Sequence, residues 1–338
     1  MLCLLISLYA GNAIIIWNNF YILNKLLYLC YGQSAGNCNS DESLLRSSES
    51  NLVTGTSETS REKLPEKLKH VKHVTPESNH VWGSYLAGLY EGDGYISDIP
   101  QVVITFHQND LAQVQKLRDK FGHGTVKTIA GKNAVNWVIS NRDGIIKFVN
   151  LINGHLRMQR KIDQINSHLP ESYKKDPQLT FNQTTASTSS LLDSWWLVGF
   201  ADADGCFYIQ IVEARVVQEK GRIRVRDTEV RLNFKVSCKD KEILDQLSCT
   251  FGSSVGKRVQ KSNGKITYYW SSTSFAGAEK VDKYFINHTL QTSKWLNYLM
   301  WRSAYLILKS GKINTPEGLE KIRSLKSKMN SNLDVTEF

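Results

Sequence analysis

The sequence predicts an α+β fold built from two pseudo-symmetric copies of one αββαββα unit, and three observations carry that prediction. The first is an internal repeat: Ser84 to Tyr95 matches Trp195 to Cys206 at an offset of 111 residues. The second is order. Asp110 stands 11 residues before Phe121-Gly122 as Asp240 stands 11 before Phe251-Gly252, and Trp137 precedes Arg160 by 23 residues as Trp270 precedes Lys294 by 24. The third is periodicity. Leu86, Leu89 and Tyr90, like Leu197, Phe200 and Ala201, recur at helical spacing, whereas Val102, Ile104, Phe106 and Leu232, Phe234, Val236 alternate with their neighbours as strand residues do.

The elements follow in chain order. No charged residue occurs from Met1 to Asn24, so residues 1–32 read either as a hydrophobic leader that associates with a membrane or as translated upstream sequence; interspersed Asn and Gly weaken the run as a membrane span. Residues 33–80 are rich in Ser, Thr, Asn, Glu and Lys without an apolar period, and are expected to form a low-complexity linker. The first unit is expected over residues 81–180, an inter-unit linker over 181–194 and the second unit over 195–330. Each leading helix is expected to stop at an Asp-Gly step, with Gly94 or Gly205 as the carboxy-terminal cap. From Asp93 to Asp110 is 17 residues and from Asp204 to Asp240 is 36, an insertion around Glu213 to Asp227 that is expected to lengthen a hairpin. Trp137, Trp270, Phe207, Tyr208, Trp295 and Trp301 fall at core spacing.

Charge narrows the function classes. The 338 residues carry a net charge of +10, with 7 basic and 7 acidic residues up to residue 83, 12 and 10 over 84–194, and 23 and 15 beyond. A surplus concentrated in the second copy suits a polyanion, so nucleic acid is the leading partner. The six cysteines form no Cys-x-x-Cys pair or Cys/His cluster, which argues against a zinc site or disulfide framework and fits a reducing compartment.

Gly88 with Gly92, and Gly199 with Ala203, set small residues four apart on one helical face, so the two leading helices can approach closely. Pairing along that face would bring Asp93 and Asp204 side by side. Each carboxylate would then face the negative end of a helix dipole as well as the other carboxylate, a placement that costs on the order of 0.3–1 kcal/mol for the dipole alone. A divalent cation reverses both penalties, and an all-oxygen donor set favours Mg²⁺. Glu91 and Asp202, two residues earlier, read as groups that bond at the helix ends or face solvent.

Leu86-Ala87-Gly88-Leu89-Tyr90-Glu91-Gly92-Asp93-Gly94 and Leu197-Val198-Gly199-Phe200-Ala201-Asp202-Ala203-Asp204-Gly205 resemble the two signature motifs of LAGLIDADG homing endonucleases, in the single-chain form encoded in organellar group I introns. The resemblance covers about residues 82–330. It implies a pseudo-dimeric monomer whose paired motif helices hold the metal ligands Asp93 and Asp204, and whose two antiparallel sheets form a saddle over the DNA major groove. It also implies that Arg160 and Lys294 organise active-site water and that Gln108 is an active-site polar group, where the second copy carries Cys238 instead. Mg²⁺ is the implied cofactor, with Mn²⁺ or Ca²⁺ able to occupy the site. The implied activity is metal-dependent double-strand cleavage of a long DNA target that promotes intron mobility, in a mitochondrial setting. The alternative is a maturase that binds group I intron RNA.

The strands supply candidate DNA contacts. In the first copy these are Gln101, Thr105, His107 and Asn136. In the second, Arg222, Arg224 and Arg226, then Arg231, Asn233 and Lys235, alternate with apolar residues, followed by Lys265, Thr267 and Tyr269 in the next hairpin. Arg can read guanine, and Asn or Gln adenine, in the major groove.

Overall fold

The computed structural model describes residues 71–219, 222–260 and 264–329. The expected leader over 1–32, the expected linker as far as residue 70 and the expected end of the second unit at residue 330 lie outside the described residues.

The first half runs α1 (Asn79–Asp93), β1 (Gly94–Ile96), β2 (Val102–His107), α2 (Leu111–Phe121), β3 (Thr125–Thr128), β4 (Ala134–Ile139), α3 (Arg142–Ile152) and α4 (Gln159–His168), with one further turn, α5 (Glu171–Lys174). The second half repeats it as α6 (Trp196–Asp204), β5 (Gly205–Val212), the inserted β6 (Arg215–Glu219) and β7 (Arg222–Arg226), β8 (Glu229–Cys238), α7 (Lys241–Phe251), β9 (Gly256–Val259), β10 (Ile266–Ser272), α8 (Phe275–Asn287) and α9 (Lys294–Lys309), followed by α10 (Pro316–Lys328). Each half has a four-stranded antiparallel sheet, ordered β1-β2-β4-β3 and β5-β8-β10-β9.

Matching local devices build the two copies. Helices α2 and α7 end at Gly122 and Gly252, whose φ angles of +85° and +86° suit glycine. Just beyond, the buried Trp137 indole donates to His123 O at 3.1 Å and the Trp270 indole to Gly252 O at 2.7 Å, so each sheet is pinned to the end of its helix. Aromatic residues fill both cores: Tyr90, Phe121, Trp137 and Phe148 in one, Phe207, Phe234, Trp270, Phe285 and Trp301 in the other. Tyr208 departs from its expected core position, because it is only half-buried and lines a surface groove.

Helices α1 and α6 cross backbone to backbone. A Cβ on Gly88 would lie 1.9 Å from Trp196 O, one on Gly199 would lie 1.9 Å from Tyr85 O, and one on Gly92 would lie 2.3 Å from the Ala203 methyl. Gly94 and Gly205 cap the helices as expected, their N–H groups bonding Tyr90 O and Ala201 O, but glycine is needed there for close packing and not for a positive φ. Their φ angles are −98° and −78°, and a side chain there would meet the last turn of the preceding helix, at Tyr90 Cα (2.7 Å) or Ala201 O (2.7 Å).

The fold reaches upstream of Val81. His73 Nε2 bonds Leu290 O at 2.8 Å, Val74 N donates to Thr289 Oγ1 at 2.9 Å, Gln291 Nε2 donates to Val74 O at 2.9 Å, and the His73 ring sits edge-on to Trp295 with centres 5.5 Å apart. Residues 71–78 thus strap the start of the first half to the loop that leads into α9.

Two outcomes follow from this packing. Gly88→Ala or Gly199→Ala should each lower the unfolding free energy by at least about 1–3 kcal/mol, since backbone carbonyls cannot yield as a side chain can; urea denaturation at neutral pH measures it. A chain shortened to begin at residue 79 should unfold at lower urea than one beginning at residue 71. The lost bonds are worth about 0.5–1.5 kcal/mol apiece, and equal midpoints would show that the strap is dispensable.

Candidate active site and nucleic-acid interface

The crossing carries reciprocal hydrogen bonds. Tyr85 of α1 donates its hydroxyl to Asp202 Oδ2 at 3.1 Å, while its repeat partner Trp196 of α6 donates its indole N–H to Glu91 Oε2. Glu91 also accepts from the backbone N–H groups of Arg157 (2.8 Å) and Met158, ahead of α4. Asp202 accepts from Gln291 N (2.8 Å), Thr292 N (3.3 Å) and the Thr292 hydroxyl (2.6 Å), ahead of α9. Both acids are buried, so the solvent-facing alternative gives way to helix-end bonding. Burial raises Glu91 from the usual 4.5 to about 7 and Asp202 from 3.8 to about 6, against the opposing pull of their donors.

Two residues further on, Asp93 and Asp204 close α1 and α6. A methyl placed on Gly92 would lie 3.6 Å from Asp204 Oδ2, so the second carboxylate sits beside the last turn of the first helix. Lys294 donates its ammonium to Ala201 O (3.2 Å) and Ala203 O, the carbonyls at the end of α6. Its repeat counterpart Arg160 does something else: the guanidinium pairs with Asp240 of the other half. Burial works against the Arg160 charge, but Asp240 outweighs it and raises the pKa.

Lys161, which the sequence reading passed over, occupies the matching place in the first half. It is 5% exposed, donates to Gly94 O and lies 4.8 Å from the centre of the Tyr90 ring. Burial lowers its pKa from 10.5 to about 8, Arg160 adding to that effect while Glu91, Asp93 and Asp204 oppose it. The signal was present in the spacing, since Lys161 stands four residues before Ile165 on the buried stripe of α4.

Gln108 is exposed at the turn after β2, whereas Cys238, at the equivalent end of β8, is buried. Burial raises the Cys238 thiol to about 11, so at neutral pH it carries a proton. Asp110 accepts from Ser293 N at 2.7 Å as Asp240 takes Arg160, so each half also grips the loop or helix next to the other half's closing helix.

The sheet faces sort the remaining candidates. On the first sheet Thr105 pairs with Asn136 and His107 with Ala134, which puts Thr105, His107 and Asn136 on one face, shared by Gln101 just before β2; Thr105 Oγ1 donates to Asn136 Oδ1 at 2.9 Å. On the second sheet Tyr208, Gln210, Arg231, Lys235, Tyr269 and Ser271 line a groove of about 450 Å³. Lys235 lies 5.1 Å from the Tyr269 ring centre, and Arg231 forms a forked pair with Glu229 (2.9 and 2.7 Å). Thr267 shares the face of Tyr269, and Lys265 immediately precedes β10.

Two expectations change here. Asn233 lies on the groove side but is 3% exposed, held between Arg231 O and Ser271 Oγ, so it supports the groove floor. Arg226 does not share a face with Arg231 and Lys235. From Val212 opposite Glu229, three steps forward reach Arg215 and three steps back reach Arg226, which pair with each other; the β6–β7 ribbon therefore continues the β5–β8 register, and Arg226 falls on the side away from the groove. The side chains of Arg222 and Arg224 lie outside what is described.

A pseudo-symmetric α+β protein, with two closely crossed motif helices that each end in an acid and a four-stranded antiparallel sheet in each half, is the class this arrangement defines. A protein-family profile described as "LAGLIDADG endonuclease" matches residues 197–305. The chain is 35% identical over 278 residues, 80% of its length, to an uncharacterised cox1 intron-2 protein of 37.2 kDa from Schizosaccharomyces pombe, and spans 81% of that protein. It is 25% identical over 264 residues to the intron-encoded DNA endonuclease aI3 of Saccharomyces cerevisiae, covering 67% of this chain and 63% of that one. The fold matches the LAGLIDADG meganuclease I-CpaMI, solved bound to uncleaved DNA, with a TM-score of 0.54 at 15% identity, over 74% of this chain and 99% of the other. The chain belongs to the LAGLIDADG endonuclease family.

The buried acids imply a pH dependence. Their folded pKa values lie above the unfolded ones, so the folded state holds these protons more tightly and the associated stability is lost as pH rises. The stability of wild type relative to Glu91→Gln should fall from about pH 4.5 to about pH 7, and relative to Asp202→Asn from about pH 3.8 to about pH 6, each then levelling off. Urea unfolding across pH 4–8 checks the sign, and a difference that grows with pH contradicts it.

Proposed function

We propose that this protein is a site-specific DNA endonuclease that cuts both strands of a long target with the help of a divalent cation and thereby promotes mobility of the intron that encodes it. The single observation that carries the reading is the approach of Asp204 to the end of α1, which brings the acidic ends of both motif helices together. Among the described residues no group of three His, Cys, Asp or Glu side chains comes together. Two carboxylates with backbone and phosphate oxygens form a hard donor set with room for water, which fits Mg²⁺ and admits Mn²⁺ or Ca²⁺. When bound, such an ion polarises the scissile phosphate and activates water.

The chain's own residues do the rest. Asp93 and Asp204 hold the cation; Lys294 and Lys161 neutralise the negative ends of α6 and α1, so the acids can lie together. Gln108 offers an amide to one half-site, where the other has a neutral thiol, so the two strands meet unequal surroundings. The polar faces of both sheets bind duplex DNA, and a single chain supplies both halves. The relatives named above are intron-encoded, which favours expression in a mitochondrion. Among the described residues no helix is long and apolar enough to cross a membrane.

Selecting cleaved sites from a randomised DNA library with Mg²⁺ tests this reading. Asp93→Asn or Asp204→Asn, or a chelator with wild type, should reduce double-strand cleavage by more than about a hundredfold while duplex binding persists. Retained cutting in both variants would overturn the ligand assignment. The RNA-maturase alternative predicts instead that intron splicing survives both substitutions and that no DNA site is recovered.

A further inference from the structure

The ribbon inserted into the second half has an apolar face that, among the described residues, nothing covers. Val216 is 68% exposed, Ile223 75% and Val225 71%, and Val216 pairs directly across the ribbon with Val225, as Gln218 does with Ile223. Because β6–β7 keeps the register of β5–β8, these four residues fall on the same side as Tyr208, Gln210, Arg231 and Lys235, whereas Arg215 and Arg226 fall on the other. The groove side therefore changes character along its length, from polar and basic over the sheet to β-branched aliphatic over the ribbon. Its base is held, since Arg323 of α10 bonds both carboxylate oxygens of Glu213 (3.0 and 2.9 Å).

Resting on the endonuclease reading above, we infer that this ribbon lies in the DNA major groove beyond the sheet and reads the 5-methyl groups of thymines with Val216, Ile223 and Val225. The major groove admits a two-stranded ribbon, and the thymine methyl is its one apolar recognition group. Five paired residues span about 17 Å, equal to about five base-pair steps. Arg215 and Arg226, paired at the base of the ribbon, are long enough to reach the flanking phosphates. A protein partner suits the face poorly, because three aliphatic side chains offer far less than the roughly 1,200–2,000 Å² of a stable interface.

The test uses the full chain and the DNA site recovered by selection. That site should carry thymines at the outer positions of one half only, and replacing them with deoxyuridine, which lacks just the methyl, should weaken wild-type binding about fourfold per methyl contacted. The Val216→Ser, Ile223→Ser, Val225→Ser triple variant should bind thymine and deoxyuridine duplexes alike, while still cutting when its concentration is raised. A site without thymine there, no effect of deoxyuridine, or an equal loss in wild type and variant overturns the inference and leaves the endonuclease reading standing as long as the unsubstituted site is cut. A wild-type dimer in sedimentation that the variant abolishes also overturns it, assigning the face to a second copy.

Discussion

Backbone contact between α1 and α6 is the constraint on which the rest of the structure depends. With Gly88 and Gly199 each set against a carbonyl of the opposite helix, the axes come closer than any side chain would allow. Helix ends in most proteins repel when they carry acids, because partial negative charge from unpaired carbonyls accumulates there. Here close approach forces two such ends together. The arrangement persists because lysines from α4 and α9 cap the carbonyls and because reciprocal Tyr85–Asp202 and Trp196–Glu91 bonds hold the crossing angle.

Each motif helix thus carries two acids with separate duties. The first, Glu91 or Asp202, is buried and spends its lone pairs on backbone N–H groups ahead of α4 or α9, so it ties the crossing to the helix that brings a lysine back. The second, Asp93 or Asp204, ends the helix and is the one suited to a cation. Two residues along a helix amount to about 200° of rotation, so one acid of each pair faces the protein when the other faces the opening.

Symmetry of fold coexists with asymmetry of chemistry. Arg160 and Lys294 stand at equivalent positions, yet the guanidinium is drawn across the pseudo-twofold to Asp240 while the ammonium turns back onto its own helix. Lys161, next to Arg160, instead bonds Gly94 O at the end of α1. Cys238 for Gln108 and the β6–β7 ribbon push in the same direction, toward halves that contact a duplex unequally. A single chain permits this divergence, since neither half has to serve both positions as it would in a homodimer.

The repeat, the small-residue spacing on the motif helices and the close crossing of α1 and α6 were all legible in the amino-acid order, because they rest on local period and on one self-comparison. The αββαββα order was legible for the same reason: alternation and helical spacing are properties of contiguous residues. What tertiary structure alone decided were relations between distant segments. Arg160 reaches Asp240, 80 residues away, while its neighbour Lys161 turns to Gly94 O at the end of α1. Asn233 became a buried support because Ser271 approaches it from a neighbouring strand. Arg226 fell on the far side of the ribbon because hairpin register, not composition, sets which face a strand residue joins, and a shift of one residue would have reversed it.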